Sequence, residues 1–174
     1  MTGFHTLAET ESAVTERLGG LPLDFSATAA VSNLYRAVNA IRNHLEQSVL
    51  RPANLTWTAF VVLWVVWIWE EMETRHVAAE AGVSKGTLTG VAKTLESRGL
   101  LERRSSPEDG RMVLLRLTTG GRRLMTKLFP AFNVQETFVL EGLTDRQVKG
   151  LAGTLRHIVS HMESQAARPR IPPI

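Results

Sequence analysis

The sequence predicts a mainly α-helical protein that carries one small β-hairpin. Apolar residues recur at a three–four spacing before residue 50 and again after residue 145, as they do on helices that bury one face. Between these regions, two short helix-forming runs meet at Gly82, where a residue without a side chain permits a sharp turn. A stretch rich in β-forming residues follows and turns at residues 106–111, which include Pro, Asp and Gly.

Length and composition exclude several classes of protein. The chain of 174 residues is long enough for a real core, and it contains no cysteine, which removes disulfides and thiolate chemistry. The apolar run 59–69 is too short for a spanning helix, which needs about 20 residues, so it is predicted to be a buried helix, with Glu70, Glu71 and Glu73 at its surface end. No secretory signal, phosphate-binding loop or nucleophile elbow is present. We expect a cytoplasmic protein without membrane contact, enzymatic activity or cofactor.

The first part of the chain is predicted to be helical. Residues 1–25 form an N-terminal arm with a hint of a short helix, and both a packed and a partly disordered arm remain open. Residues 26–50 form a long amphipathic helix, whose apolar face contains Val31, Leu34, Val38, Ile41, Leu45 and Val49. Thr56 is the expected N-cap of the tryptophan-rich helix that follows, in which Trp57, Trp64 and Trp67 could share one face.

The central stretch predicts two crossing helices. Thr74 is a possible N-cap for a short helix over residues 77–81, and Ser84 is the N-cap of a second helix over residues 85–98. Gly99 ends that second helix. Its spacing directs Leu88, Val91, Ala92 and Leu95 toward a core and leaves Lys85, Thr87, Thr89 and Lys93 facing outward.

Two β arms follow, over residues 100–105 and 112–117. Helix, turn, helix and a basic hairpin in this order predict a winged helix-turn-helix. Charge supports this prediction, because residues 75–127 contain eleven Lys or Arg and five acidic residues, although the whole chain has a net charge of only +3. Basic charge concentrated on one module is typical of phosphate binding.

At these residues the chain resembles the MarR (multiple antibiotic resistance regulator) family of bacterial transcription factors. The resemblance is carried by residues 81–84, by the Leu-Glu-Ser-Arg-Gly-Leu-Leu-Glu-Arg run from Leu95, by the wing tip Asp-Gly-Arg and by Leu-Thr-Thr-Gly-Gly from Leu117. One departure is Gly90, where many relatives have a larger residue. The resemblance implies a homodimeric regulator, expected to be a repressor, with helical dimerisation segments at residues 26–55 and 119–165, and a DNA-binding domain at residues 56–118.

Physical chemistry assigns the expected contacts with double-stranded DNA. The N-terminal end and outer face of a recognition helix reach base edges in the major groove. Arg111 is predicted to enter the minor groove, with Asp109 holding its guanidinium, while Arg98, Arg103 and Arg104 bind phosphates. The predicted DNA-binding set is Ser84, Lys85, Thr87, Leu88, Thr89, Lys93, Arg98, Arg103, Arg104, Asp109 and Arg111.

The resemblance also implies a cavity for a small apolar or aromatic effector. Its candidate wall residues are Tyr35, His44, Trp57, Phe60 and Trp64, although packing of the aromatic side chains in the core explains the same residues equally simply.

The last segment is predicted to contain two helices and a tail. A helix over residues 121–129 is expected to be kinked or interrupted by Pro130. Thr144 and Gln147 form a capping box for the final helix, whose apolar stripe is Val148, Leu151, Leu155, Ile158, Val159 and Met162. Residues 166–174 are a proline-rich tail, predicted to be extended or disordered unless a partner subunit holds it.

Two alternative functions remain open at this point. The winged helix could bind an acidic protein instead of DNA. His157 and His161 are four residues apart on one helix, a spacing that could share a metal ion, but the sequence shows no evident third ligand. No metal site is therefore predicted.

Overall fold

The computed structural model describes residues 4–165. The chain divides into two compact units, Met1–Gln135 and Glu136–Ile174. The helices and strands, in chain order, are α1 (Leu7–Leu18), α2 (Phe25–Leu45), α3 (Trp57–Trp69), β1 (Glu71–Glu73), α4 (Thr74–Glu80), α5 (Lys85–Ser97), β2 (Leu101–Ser105), β3 (Val113–Leu117), α6 (Thr119–Val139) and α7 (Asp145–Ser164). The predicted fold class, mainly α with a winged helix-turn-helix, is confirmed.

Helix α2 ends differently from the single helix predicted over residues 26–50. It begins at Phe25, because the side chain of Asp24 accepts a hydrogen bond from the Ala27 N–H at 2.9 Å. It then widens into a π-helical turn, Glu46–Leu50, and tightens into a 3₁₀ turn, Arg51–Ala53. Asn54 closes this region in the left-handed conformation, with φ of 54°.

The small sheet has three strands, in the order β1-β3-β2, and both pairings are antiparallel. The hairpin of β2 and β3 was predicted. The prediction of a helix end on the surface is confirmed for Glu70, the exposed C-cap of α3. It was wrong for Glu71 and Glu73, because Glu71–Glu73 pair with β3, in the register Met72 opposite Leu115. Glu70 makes the turn between α3 and this strand, with φ of 65°.

The core lies where α3, α5, β3 and α6 meet. Val62, Leu63, Leu95 and Leu115 are all fully buried there. Burial of the run 59–69 is confirmed for its inward-facing residues up to Val66, whereas Trp64, Ile68 and Trp69 are 38 %, 51 % and 60 % exposed. Among the described residues, no single helix has the length and apolar character needed to cross a membrane, and the bent pair Phe25–Ala53 with Trp57–Trp69 passes such a test only when taken together.

Local capping signals determine where several helices begin. Thr6 and Glu9 form a capping box for α1, and hydrogen bonds from Thr6 lower the pKa of the Glu9 carboxyl. Thr144 and Gln147 form the predicted capping box of α7. Pro130 does not interrupt α6, which continues from Thr119 to Val139. The missing N–H of a proline removes one helical hydrogen bond, and here the helix continues without it.

Helix α6 starts against the end of α5. The Thr118 hydroxyl donates to the Gly99 carbonyl at 2.6 Å and accepts from the Gly121 N–H at 3.0 Å. Gly121 is buried against the backbone of Leu100, a closeness that leaves no space for a side chain.

Helix α7 carries exposed apolar side chains. Leu151 and Ile158 are each 43 % exposed, Val159 is 54 % exposed and Met162 is 55 % exposed. The predicted apolar stripe therefore lies on the surface of a single chain. The proline-rich tail at residues 166–174 lies outside the described residues.

Candidate nucleic-acid interface

The two crossing helices α4 and α5 are joined by a turn at Gly82. This glycine has φ of +62°, a left-handed conformation that side chains disfavour. The predicted N-cap at Thr74 was wrong, because Thr74 is the first helical residue and the capping position is Glu73, without a side-chain cap bond. The backbone there is constrained by strand β1 instead, which ends at Glu73.

The start of α5 is fixed as predicted. The Ser84 hydroxyl accepts a hydrogen bond from the Thr87 N–H at 3.1 Å, and the two hydroxyl oxygens lie 2.9 Å apart. At the other end, Gly99 has φ of +65° and ends the helix. The cap leaves the N-terminal end of α5 open to solvent, where free backbone N–H groups favour an anion.

One face of α5 is exposed and polar. Lys85, Thr87, Thr89 and Lys93 are exposed, as predicted. The Thr89 hydroxyl donates to the Lys85 carbonyl at 2.9 Å, so its oxygen can still accept a hydrogen bond. Including Leu88 in the DNA-binding set was wrong, because its side chain is only 3 % exposed and belongs to the core.

The wing tip is organised by two side chains that bind its backbone. Ser106 is buried, and its hydroxyl accepts from the N–H groups of Glu108 and Asp109 at 3.2 and 3.4 Å. The Asp109 carboxylate accepts from the Arg111 backbone N–H at 2.9 Å. Asp109 therefore shapes the turn and does not hold the Arg111 guanidinium, contrary to the prediction.

Arg103 and Arg98 both make contacts within the chain, and their predicted role as phosphate ligands stays a prediction. The Arg103 guanidinium lies 3.1 Å from the Glu96 carboxylate and donates to the Thr89 carbonyl at 3.3 Å. Strand β2 is thus joined to helix α5. Arg98 donates to the carbonyls of Asn54 and Ala53.

Arg104 and Arg111 are the arginines of the predicted set that remain available on the wing. Among the described residues, ion pairs form between Arg75 and Glu73 and between Arg103 and Glu96, and neither involves Arg104 or Arg111. Neither Arg104 nor Arg111 is therefore held by a carboxylate, and both are exposed. The hairpin thus carries two exposed cations, Arg104 on β2 and Arg111 at the tip.

Arg75 is a basic residue that the predicted set omitted. It lies on α4, its Nε is 2.8 Å from the Glu73 carboxylate, and its side chain is 60 % exposed. It lines a groove of about 360 Å³ whose walls also include Lys85, Thr89 and Arg103. The sequence signal that could have identified it is its place in the first turn of the helix before Gly82.

The five candidate effector-binding residues occupy different surroundings. Phe60 is 4 % exposed and stacks on Phe132, with ring centroids 4.4 Å apart. Trp57 is half-buried and lies under the Arg42 guanidinium, 5.9 Å from its carbon. His44 contacts Gln135 through Nε2 at 2.8 Å. The remaining two, Tyr35 and Trp64, are 69 % and 38 % exposed.

The aromatic packing therefore explains Phe60, while Trp57 and His44 are each half-buried, with Arg42 over the indole and Gln135 bonded to the imidazole. Trp57, Trp64 and Trp67 do not share one face. Trp57 contacts Phe132 and Trp67 contacts Phe129, whereas Trp64 is exposed.

His157 and His161 both lie exposed on α7. Within residues 4–165, no group of three or more His, Cys, Asp or Glu side chains could hold a metal ion. A metal site using these histidines would need ligands from outside the described part of one chain.

Comparisons with known proteins agree with a winged helix-turn-helix fold. The family model described as "MarR family" matches residues 55–113. The chain is 34 % identical to the uncharacterised HTH-type transcriptional regulator YwaE of Bacillus subtilis, over 82 % of this chain and 83 % of that protein. The match to the family model contains α4, α5 and β2, and it ends at the first residue of β3.

Two solved structures are similar over most of their length. BpsR of Bordetella bronchiseptica, whose DNA binding is regulated by 6-hydroxynicotinic acid, is 25 % identical, with a TM-score of 0.69 over 75 % of this chain and 98 % of that chain. A mutant of MarR from Escherichia coli, complexed with operator DNA, is 25 % identical, with a TM-score of 0.65 over 73 % of this chain and 91 % of that chain.

Proposed function

Because the chain belongs to the MarR family of transcriptional regulators, we propose that it binds double-stranded operator DNA as a homodimer. In this proposal the bound dimer represses transcription in the cytoplasm, and a small apolar or aromatic effector weakens its hold on DNA. The family membership is supported by the comparisons and the fold. The homodimer, the operator, the sign of regulation, the effector and the cytoplasmic location are proposed.

The observation that carries the proposal is the exposed N-terminal half of α5. Lys85 can donate to guanine acceptors, and threonine hydroxyls can bind bases or phosphates. Ser84 and Thr87 fix the first turn of this helix, so its open backbone N–H groups point in one direction. In this proposal the exposed cations Arg104 and Arg111 on the wing bind DNA as well. The related MarR protein solved with operator DNA supports this use of the module.

Dimerisation is supported by apolar side chains that a single chain leaves exposed. On α7 these are Leu151, Ile158, Val159 and Met162; on α2 they are Val31, Tyr35 and Val38. Exposed apolar stripes on long helices are suited to burial against another helix. The proposed occupant is a second copy of this chain, because a winged helix reads a pseudo-palindrome when two recognition helices are held about one DNA turn apart.

Effector binding is supported by the half-buried region around Trp57. The indole and the Arg42 guanidinium above it provide an apolar wall beside a cation. An effector would act by binding one arrangement of the dimer better than the DNA-competent arrangement. The regulation of BpsR by 6-hydroxynicotinic acid provides a precedent in a related protein.

The test is binding of the purified protein to the DNA upstream of its own gene and to a scrambled duplex of equal length, at near-physiological salt. A preference of about 10³-fold or more is expected for a specific regulator. The footprint should show two half-sites about one helical turn apart. Equal, weak binding to both duplexes would reject the proposal for this DNA and favour an acidic protein as the partner of the basic surface.

A further inference from the structure

Arg98 joins the end of helix α5 to a distant part of the backbone. It occupies the C-cap position of α5. One guanidinium nitrogen donates to the Asn54 carbonyl at 2.6 Å, and the other donates to the Ala53 carbonyl at 3.1 Å. Two bonds from one planar guanidinium fix direction as well as distance. The last turn of the recognition helix is therefore held against residues 50–55, which we call the corner.

The corner is itself well ordered. Asn54 is in the left-handed conformation, and its N–H donates to the Arg51 carbonyl at 2.9 Å. The Leu55 N–H donates to the Leu50 carbonyl, also at 2.9 Å. Leu50 and Leu55 are 0 % and 3 % exposed, so the corner is anchored in the core on both sides.

The corner is also connected to the end of α2. The Glu46 carboxylate, in the π-helical turn that follows α2, accepts from the Trp57 N–H at 3.1 Å. This contact joins the end of α2 to the first residue of α3. Arg98 adds the recognition helix to the same junction, so α2, α3 and α5 are held together there by polar contacts to side chains.

We infer that Arg98 is a positioning residue, which sets the orientation of α5 relative to the end of α2 and thereby determines how well the exposed end of α5 fits DNA. This inference rests on the proposed DNA binding. It makes the corner the route by which a change in α2 reaches the recognition helix, and it assigns Arg98 no contact with DNA.

Two observations favour positioning over phosphate binding. The guanidinium is already engaged by two carbonyl oxygens, and a phosphate would have to replace them. In addition, α5 has 13 residues. At about 1.5 Å per residue, Arg98 lies about 20 Å from the Ser84 end of the helix, the end proposed to enter the major groove of DNA.

The experiment compares Arg98→Ala and Arg98→Lys with Arg104→Ala, a wing variant expected to lose a phosphate contact. For each, affinity for the operator and for a scrambled duplex is measured over a range of salt concentrations, together with the melting temperature. The positioning role predicts that Arg98→Ala lowers the specific affinity about tenfold, while the salt slope and the affinity for scrambled DNA stay unchanged. Arg98→Lys should recover only part of the loss, because an ammonium group lacks the planar fork.

A phosphate contact predicts a different result. Arg98→Ala would then weaken binding to both duplexes and make the salt slope shallower by about one, as expected for Arg104→Ala, and Arg98→Lys would bind almost normally. That result, or an unchanged specific affinity, would overturn the inference. If Arg98→Ala fails to fold, the comparison of Arg98→Lys with the wild-type protein still distinguishes positioning from phosphate binding. Lysine preserves the charge, so only the positioning role predicts a loss of specific affinity.

Amide hydrogen exchange on the DNA-free protein separates this inference from the proposed function. Loss of the Arg98 contacts should speed exchange of the Asn54 and Leu55 amides, relative to Arg104→Ala. Unchanged exchange at these amides would overturn the inference even if DNA binding is established. If the Asn54 and Leu55 amides exchange faster in Arg98→Ala but the wild-type protein shows no preference for any DNA sequence, only the proposed DNA binding is contradicted.

Discussion

Gly121, in the first turn of α6, lies directly on the backbone carbonyl of Leu100, at the start of the wing. A Cβ added to Gly121 would overlap the Leu100 oxygen and stand 3.0 Å from its carbonyl carbon. Both partners are backbone atoms, and Thr118 holds the same junction through hydrogen bonds to Gly99 and Gly121. The fit between α6 and the winged helix thus depends on the absence of one methyl group.

The first prediction concerns this contact. Gly121→Ala should lower the free energy of unfolding by about 1–3 kcal/mol, because overpacking against backbone forces a shift of α6 or of Leu100. Chemical denaturation at fixed protein concentration measures it. An unchanged stability would mean that the junction is looser than described.

The matched control carries the second prediction. Gly90 lies in the middle of α5, with nothing within 4 Å of an added Cβ. Gly90→Ala should therefore raise the free energy of unfolding by up to about 1 kcal/mol, since alanine favours a helix interior. The same denaturation experiment applies, and a loss of stability would contradict the open space described at this position.

The third prediction concerns the wing. Arg111→Ala should weaken binding to all duplexes and make the plot of log affinity against log salt shallower by about one, as expected when one cation is removed from a DNA interface. Fluorescence anisotropy over several salt concentrations measures the slope. Arg123→Ala is a suitable control, because this exposed residue lies on α6, which starts beside the far end of α5. Full affinity of the Arg111 variant would remove the wing tip from the interface.

The fourth prediction concerns base recognition. Thr87→Val removes a hydroxyl while preserving shape, and it should change which operator sequence is preferred, with each altered base pair worth about 1–3 kcal/mol. Thr87→Ser preserves the hydroxyl and its contact with Ser84, so it serves as the control. Selection from a randomised duplex pool gives the preference. An identical preference for both variants would exclude Thr87 from reading bases.

The fifth prediction concerns assembly. Ile158→Glu places a charge in the exposed apolar stripe of α7, so the dimer should dissociate at micromolar concentration and specific DNA binding should fall with it. Light scattering after size exclusion gives the mass. Lys149→Glu, an exposed polar position on the same helix, should stay dimeric. A dimeric Ile158→Glu protein would move the interface away from this stripe.

Signals that are local in sequence predicted local structure well. Ser84 caps α5, Gly99 ends it, and Thr144 with Gln147 caps α7, because each of these signals acts within about one helical turn. Strand β1 was missed because Glu-Met-Glu is too short to show a period of two, and it becomes a strand only by pairing with β3.

The roles of the arginines could not be predicted in the same way. The sequence predicts that Arg98 and Arg103 bind phosphates, but within the chain they contact Asn54 and Glu96, which only the fold brings near. The partner of Asp109 was also not predictable from spacing, although it lies only two residues away. The Asp109 carboxylate accepts a hydrogen bond from the backbone N–H of Arg111 and does not bind the Arg111 side chain. The helical spacing predicted which side chains are exposed. It could not predict which of them already bind another group of the same chain.

The strand order β1-β3-β2 has a consequence for colloidal stability. The most apolar strand of the sheet, β3, with the sequence Val-Leu-Leu-Arg-Leu, lies in the middle and offers no free edge. The outer strands are short and charged, Glu-Met-Glu on one side and Leu-Glu-Arg-Arg-Ser on the other. Charged, short edge strands discourage intermolecular strand pairing. The three residues of β1 thus protect the wing from edge-to-edge aggregation, in addition to connecting α3 with α4.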